Sequence, residues 1–565
     1  MWKNLLKNGS DFLTRRQKNI FSAAVVIMLM IAASRVLGLV RNRVLAHFFT
    51  AEELSLYFAA FRLPETIFEV LIFGTLASAF IPTFAFYLSK NQTKEAWHVA
   101  NSAINITLVF FLFLAIFLLI LNNPLYRLIA PGFSSSQVER VANLARILLL
   151  AQAFFILSYF LTAVLESFQR FLIPAISPLF YNLGIIVGTI FLTQKLGIYA
   201  PTIGAVIGAF FHFFIQLPLA FHLGFKPHLV FDFNHPGIKK IGRLAAPRVI
   251  ELSFLQLSKG AELFLASLVS SGAYTYYTFA NSLQLLPVGL FGTSIAKAAL
   301  PSLSYQAVEE KKEEFKKTFY SLFRQIIFLT LPISVFLAAL RIPLVRLVFG
   351  AANFTWESTV QTGLALSTFC LGITAQSLIY LLTRAFYALH DTKTPVKISI
   401  LAMFLGILMG IIFILILKLP IWGLALAFSL SSLVQFFLLA FFLNKEIGFF
   451  SNDLFTFIIK VVFSSLVSGG VMFFFLKILD RSAWDRKLSF LGKFGLALPT
   501  TFDRFVLDTR YSVNLIYLTV IVSLIGMLVY VSAAKFFKIP EIGIFGRLLT
   551  KFRCPRTISP PVSWE

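Results

Sequence analysis

Charge is what this chain of 565 residues has least of. Only 13% of its residues are Asp, Glu, Lys or Arg, about half the share of a soluble globular protein, and that excludes an ordinary water-soluble domain. Cysteine is nearly absent. Cys370 and Cys554 have neither the number nor the spacing for a disulfide framework or a thiolate metal site, and both read as structural thiols. No Gly-rich nucleotide loop, paired-His motif or cluster of Asp on a surface loop is present. His47, His98, His212 and His390 are scattered along the chain and read as helix-end or cavity residues rather than ligands. No enzymatic constellation, cofactor or metal is therefore expected. Acids are scarcer than bases, 25 against 49, for a net charge of +24. In a soluble protein that balance would suggest nucleic acid. Here no such motif accompanies it, and the cations sit beside the ends of apolar runs, so nucleic acid is not expected as a partner.

What is abundant is apolar. Hydrophobic residues make up 58% of the chain and Phe alone numbers 67. Uninterrupted runs of roughly 20 residues, enough to cross about 30 Å of hydrocarbon, recur from end to end. In lipid every backbone polar group must be satisfied internally, so such runs become helices; the alternation of a membrane β-barrel is missing. The expected fold is an all-α polytopic membrane protein of about fourteen transmembrane helices. They fall near 21–46, 54–87, 98–121, 140–166, 171–193, 198–223, 241–270, 273–304, 316–340, 358–388, 394–417, 420–443, 454–478 and 512–536. The first run has no small-residue cleavage site after it and reads as a retained helix rather than a signal peptide. Lys and Arg gather on one side, in Lys3, Lys7, Arg15, Arg16 and Lys18, in Lys226, Lys239, Lys240 and Arg243, in Lys311, Lys312, Lys316 and Lys317, and in the tail from Lys535 to Arg556. That side carries roughly twice the positive charge of the other, which marks it as cytoplasmic. An even number of spans puts both termini there.

The chain also repeats itself. Phe73-Gly74-Thr75, leading to Pro82 and Tyr87, returns as Phe291-Gly292-Thr293, leading to Pro301 and Tyr305. Both follow a Leu-Pro step. Glu166-Ser167-Phe168 with Pro174 matches Arg384-Ala385-Phe386 with Pro395. Helices 1–6 and 7–12 thus read as two six-helix lobes in parallel repeat, a transporter architecture. The expected organisation is a basic N-terminus over 1–20, an N-lobe over 21–223, a cytoplasmic linker over 224–240 and a C-lobe over 241–445. Helices 13 and 14 follow within 446–537, with a solvated outer loop at about 479–511, and a basic tail covers 538–565.

Ionisable groups at bilayer depth cost about 2.5–3.5 kcal/mol each on insertion scales, so they face a cavity or a partner. Helix 1 carries Arg35 and Arg41, with Arg43 nearer its end as an interfacial residue. Helix 2 carries Arg62, Glu65 and Glu69 on one stripe, helix 7 carries Arg248, Glu251, Lys259 and Glu262, and helix 8 carries Lys297. Cations so placed suit an anion, and guanidinium in particular clamps phosphate. The other reading is static pairing: Arg248–Glu251 and Lys259–Glu262 lie three apart on one helix, and Glu65 and Glu69 stand near Arg62.

Several motifs resemble the lipid II flippase family (MurJ/MviN). They are Ser34-Arg35-Val36-Leu37-Gly38 with Arg41, Phe61-Arg62-Leu63-Pro64, Ala79-Phe80-Ile81-Pro82, Ala130-Pro131-Gly132-Phe133 and Leu300-Pro301-Ser302-Leu303-Ser304. The most specific is Arg384-Ala385-Phe386-Tyr387-Ala388 followed by Asp391-Thr392-Lys393-Thr394-Pro395-Val396-Lys397. The resemblance implies the fold of the multidrug/oligosaccharidyl-lipid/polysaccharide exporter superfamily in a bacterial inner membrane. It implies movement of the undecaprenyl-diphosphate-linked glycan lipid II to the outer leaflet for peptidoglycan synthesis, with membrane lipids and cell-wall synthesis proteins as further partners. Arg35 and Arg41 match the family's functional first-helix arginines. Other positions depart: Ser55 stands where the family has Asp, Phe68 where it has Arg, and Asn281-Ser282 where it has an Asp-Arg pair. The expected compensation is a cationic patch moved to Arg248, Lys259 and Lys297. Gly406 and Gly410 replace the polar pair that some members use for sodium. Competing readings are a translocase for another undecaprenyl-linked saccharide, a multidrug antiporter, a membrane glycosyl- or phosphotransferase, and a non-transporting scaffold. The antiporter lacks its first-helix acid and the transferase lacks metal-binding loops.

Overall fold

A computed structural model describes residues 20–75, 79–308, 311–481, 506–509 and 511–543. The basic N-terminus, most of the loop at 479–511, and the tail beyond 543 with Cys554 lie outside the described residues. Helices α1 (Ile20–Phe48), α2 (Ala51–Thr75), α3 (Ile81–Ser89), α4 (Thr93–Ile129), α5 (Ser135–Ser167), α6 (Leu172–Leu196), α7 (Tyr199–Phe214) and α8 (Leu217–His222) lead to α9 (Pro236–Val269). Then come α10 (Ala273–Pro287), α11 (Ser294–Val308), α12 (Lys312–Ala339), α13 (Arg341–Phe349), α14 (Trp356–Cys370) and α15 (Ile373–Ala388). The last are α16 (Lys393–Ile411), α17 (Trp422–Ile447), α18 (Asn452–Leu479) and α19 (Ser512–Phe536).

Among the described residues eleven helices are long and apolar enough to cross a membrane, or twelve when the bent pair α14–α15 counts as one span. The two of the expected fourteen that fall outside this set are the first and second. The second carries Arg62, Glu65 and Glu69, contains Pro64 and is followed by a separate α3; the first lies partly outside the described side chains. The membrane environment explains the surface. α4 has a mean hydropathy of 3.0 over its best stretch, of which only 28% is buried in the protein. Phe113, Ile120 and Phe191 are largely exposed. Such a surface is stable against lipid and not against water.

The chain forms two compact units. The first runs to Ser282 and adds Val348–Ala365 and Met403–Ala427. Its core joins Phe80, Phe84 and Phe160 to the small residues Ala96, Ala100 and Ala163. Here α6 and α7 touch along glycines. A Cβ on Gly184 would lie 2.4 Å from the Gly208 Cα, and one on Gly188 would lie 2.6 Å from the Gly204 Cα. Spaced four apart on each helix, these glycines let the two backbones meet. The segment between α8 and α9 is strapped to α4. Asn101 donates to the Lys226 carbonyl at 3.0 Å, and Asn105 donates to the His228 and Val230 carbonyls at 2.7 and 3.1 Å.

The second unit comprises Leu283–Leu347, Leu366–Ala402 and the chain from Phe428 on. Its core packs Phe319, Phe323, Phe328, Phe386 and Tyr530. The last two helices are tied in by backbone acceptors: the Tyr530 hydroxyl donates to Phe328 O at 2.9 Å, and Ser468 on α18 donates to Gly526 O on α19 at 2.6 Å. Arg324 pairs with Glu541 at 2.6 Å and stacks on Phe457, which docks the turn after α19. The break between α14 and α15, bent by 44°, frees carbonyls that Ser429 bonds, Thr368 O at 2.8 Å.

The corners after α5 and α15 share one geometry. Gln169 and His390 are left-handed, with φ of 61° and 60°. Arg170 N–H reaches Leu165 O at 2.9 Å, and Asp391 N–H reaches Phe386 O at 3.0 Å. Phe168 caps α5 and Leu389 caps α15. The self-match therefore holds at Pro174 and Pro395 but is out of register at Glu166–Phe168 against Arg384–Phe386, because chance apolar identity there outweighed the turn.

Candidate functional site

The intramembrane charges of the first unit converge on the contact between α2 and α9. Arg62 on α2 is 7% exposed. Its Nη2 donates to Gln256 Oε1 on α9 at 2.9 Å and lies 3.7 Å from Glu65 one turn on. It also hydrogen-bonds the Tyr274 hydroxyl oxygen. Its Nε is buried without an acceptor among the described residues, an unmet demand that an anionic ligand could answer. The Gln256 amide turns the ladder over: its carbonyl accepts from Arg62 and its Nε2 donates to Glu69. Lys259, one turn along α9, holds both Glu69 oxygens at 2.8 and 3.0 Å.

This corrects the alternative reading of Lys259–Glu262 pairing within helix 7. Lys259 turns to Glu69 across the helix contact, while Glu262 accepts a hydrogen bond from the Tyr277 hydroxyl. A carboxylate facing the ammonium from the neighbouring helix wins because the i, i+3 position on α9 looks toward α10. Arg248 is half-buried on the same helix; Glu251 is helical, but its side chain lies outside the described set. On α1, Arg35 is exposed and Arg41 half-buried. Arg41 donates to Asn182 on α6 at 3.1 Å and to Asn42 at 3.0 Å, both neutral partners.

Four of the family departures have local structural roles. Ser55 is fully buried, shares a 3.0 Å hydrogen bond with Thr275 on α10 and accepts the Thr275 N–H. Phe68 packs on Phe155 and Tyr159 with ring centroids 5.8 and 5.3 Å away. Ser282 bonds its own helix at Phe279 O. A Cβ on Gly410 would lie 2.8 Å from a Leu265 methyl, so a larger side chain there would have to displace Leu265.

Other predicted residues fall in the second unit. Lys297 is exposed on α11. Arg384 lies over the Tyr387 ring at 5.8 Å. Asp391 accepts the N–H groups of Lys393 and Thr394 at 2.9 and 3.1 Å, capping α16, with Thr392 and Lys393 exposed and Pro395 buried. The specific family motif here is thus a helix start.

Sequence reasoning missed Gln256, whose signal was a polar residue inside an apolar run. It also left the histidines scattered. The structure brings His98 to 3.1 Å from Asp232 and His235 to 3.1 Å from Glu95. The hydrogen bond to His98, helped by the N–H groups of His235 and Asn234, holds the Asp232 carboxyl below its usual range. Among the described residues no group of three His, Cys, Asp or Glu could hold a metal ion.

The fold matches that of a solved structure described as a lipid II flippase MurJ in an inward closed conformation. The TM-score is 0.72 at 23% identity, covering 93% of this chain and 100% of that one. An inward-facing multidrug resistance MATE transporter of the MOP superfamily matches with a TM-score of 0.61 at 15% identity, covering 75% and 98%. These likenesses define the class by its fold: a multi-pass, all-helical membrane protein. Among curated relatives, the probable lipid II flippase MurJ of Buchnera aphidicola subsp. Schizaphis graminum is 28% identical over 468 residues, 81% of this chain and 90% of that protein. The lipid II flippase MurJ of Burkholderia cenocepacia is 26% identical over 466 residues, 80% and 90%. A family model described as Lipid II flippase MurJ matches residues 44–494, and the chain belongs to that family, one of flippases rather than enzymes.

Proposed function

We propose that this protein moves lipid II from the cytoplasmic to the outer leaflet of a bacterial inner membrane by alternating access, with both termini cytoplasmic. The observation that carries the reading is the part-buried ladder Arg62–Gln256–Glu69–Lys259 on membrane helices of a chain in this family. A diphosphate is a compact anion that guanidinium and ammonium groups bind strongly when water is excluded. Arg35, Arg41, Arg62, Arg248 and Lys259 supply such groups in the first unit. Lys297 belongs to the second, and its part is tested by its own substitution. The repeat of lobes 21–223 and 241–445 fits a carrier that alternates, and lipid II, surrounding lipids and cell-wall synthesis proteins are the partners it would meet.

A second reading, a translocase for another undecaprenyl-diphosphate-linked saccharide, draws on Phe68 and Ser282. At those two positions the expected arginines are replaced by Phe68, which packs on Phe155 and Tyr159, and by Ser282, which bonds its own helix. The test is replacement. In cells depleted of their own lipid II flippase, this protein is expected to restore lipid II to the outer leaflet. An Arg35→Ala/Arg41→Ala variant of equal membrane abundance should lose most of that export. A well-expressed protein that restores none would turn the assignment to the second reading.

A further inference from the structure

Lys259 presents a paradox for a diphosphate site, because its charge is already spent. Both Glu69 oxygens lie within 3.0 Å of its Nζ, and the Gln256 amide adds a further donor to the same carboxylate. The two partners are unequally placed. The Lys259 side chain is 39% exposed and that of Glu69 only 16%, so the ammonium has an open side while the carboxylate lies beneath it. The donors gathered on Glu69 are those a phosphate oxygen would use.

We infer that Glu69 is an internal counter-anion, occupying the cation site when it is empty and displaced by the diphosphate of the substrate. This deepens the flippase reading and rests on it. A carrier has to reset without cargo, and a bare ammonium among apolar helices costs about 2.5–3.5 kcal/mol. The Glu69 carboxylate keeps the unloaded site neutral. An arriving diphosphate takes over Lys259 Nζ and the Gln256 amide, and the Glu69 side chain swings off its two donors. Exchange of one anion for another keeps the Lys259 ammonium paired through the cycle. It also sets a threshold that favours a more highly charged diphosphate over a less highly charged monophosphate.

The experiment measures binding of farnesyl diphosphate and farnesyl monophosphate to the full chain in phosphatidylcholine nanodiscs, with thermal stability followed on the same samples. Glu69→Gln keeps size and hydrogen bonding but removes the competing charge. It is expected to bind the diphosphate about tenfold tighter while losing preference over the monophosphate. Adding Lys259→Ala should abolish that gain. Glu69→Asp, which withdraws the carboxylate, should fall between and serves if the Gln variant is not recovered. A purely structural clamp would lower stability and leave affinity equal or weaker; that result overturns the inference. The replacement assay separates the two readings. Lipid II export by the wild type with no affinity gain in Glu69→Gln sinks the counter-anion alone. An affinity gain in a protein that exports no lipid II sinks the substrate assignment and leaves the counter-anion standing.

Discussion

Single side chains decide more here than their number suggests. Gln256 lets Arg62 and Glu69 share one neutral bridge, and its place could not be read from spacing. A one-dimensional pattern reports which residues share a face of α9, not which neighbouring helix that face meets. The charged positions themselves were legible, because Arg, Glu and Lys inside apolar runs stand out; their partners were not. Asp391 is the opposite case, a residue singled out by family motif whose visible work is local. Burial raises its carboxyl, but the hydrogen bonds from Thr394 and Lys393 outweigh this and hold it below its usual range. With a folded value beneath the unfolded one of about 3.9, its stabilisation is complete above that pH and fades as pH falls through the folded value. Asp391→Ala should cost about 1 kcal/mol, as for a lost helix cap. In thermal melts the gap between variant and wild type should be constant from pH 5 upward and close in stronger acid.

At the scale of elements, the α6–α7 seam is the sharpest constraint in the first unit. Its four glycines at four-residue spacing were visible in the sequence, and their meaning lay in the pairing of two helices. Gly204→Leu would drive a side chain into the Gly184 and Gly188 backbone, which lies 2.5–3.1 Å from even a Cβ. A loss of about 1–3 kcal/mol is expected for such overpacking, read as a lower melting temperature and reduced membrane abundance. Gly197→Ala, whose Cβ would meet nothing within 4 Å but whose φ is +52°, should show a smaller loss from backbone strain alone. Helix ends were legible to within a few residues for most spans. The exceptions were α2 and α3, expected as one run, and α14 and α15, where Gly372 and the Ser429 hydroxyl accommodate a bend that hydropathy does not register.

For the whole molecule, composition alone carried the fold class, because length, charge scarcity and apolar runs admit few alternatives in lipid. Orientation rests on the lysines and arginines, and the chain carries its own reporter. A membrane-impermeant thiol reagent should leave Cys554 unmodified in intact cells and label it in inside-out vesicles. Cys370, 6% exposed within its helix, should stay unreactive in both. Labelling of Cys554 from outside would reverse the proposed topology.

The ladder also has a history in time. Glu69 and Lys259 are 190 residues apart in the chain, so at 5–20 residues per second the ribosome finishes one roughly 10–40 s before the other. Throughout that interval α2 must enter the bilayer with Arg62 and Glu69 before their α9 partners exist. Its insertion is therefore a provisional event, ratified only when α9 emerges, and the order of synthesis becomes part of what makes this membrane protein assemble.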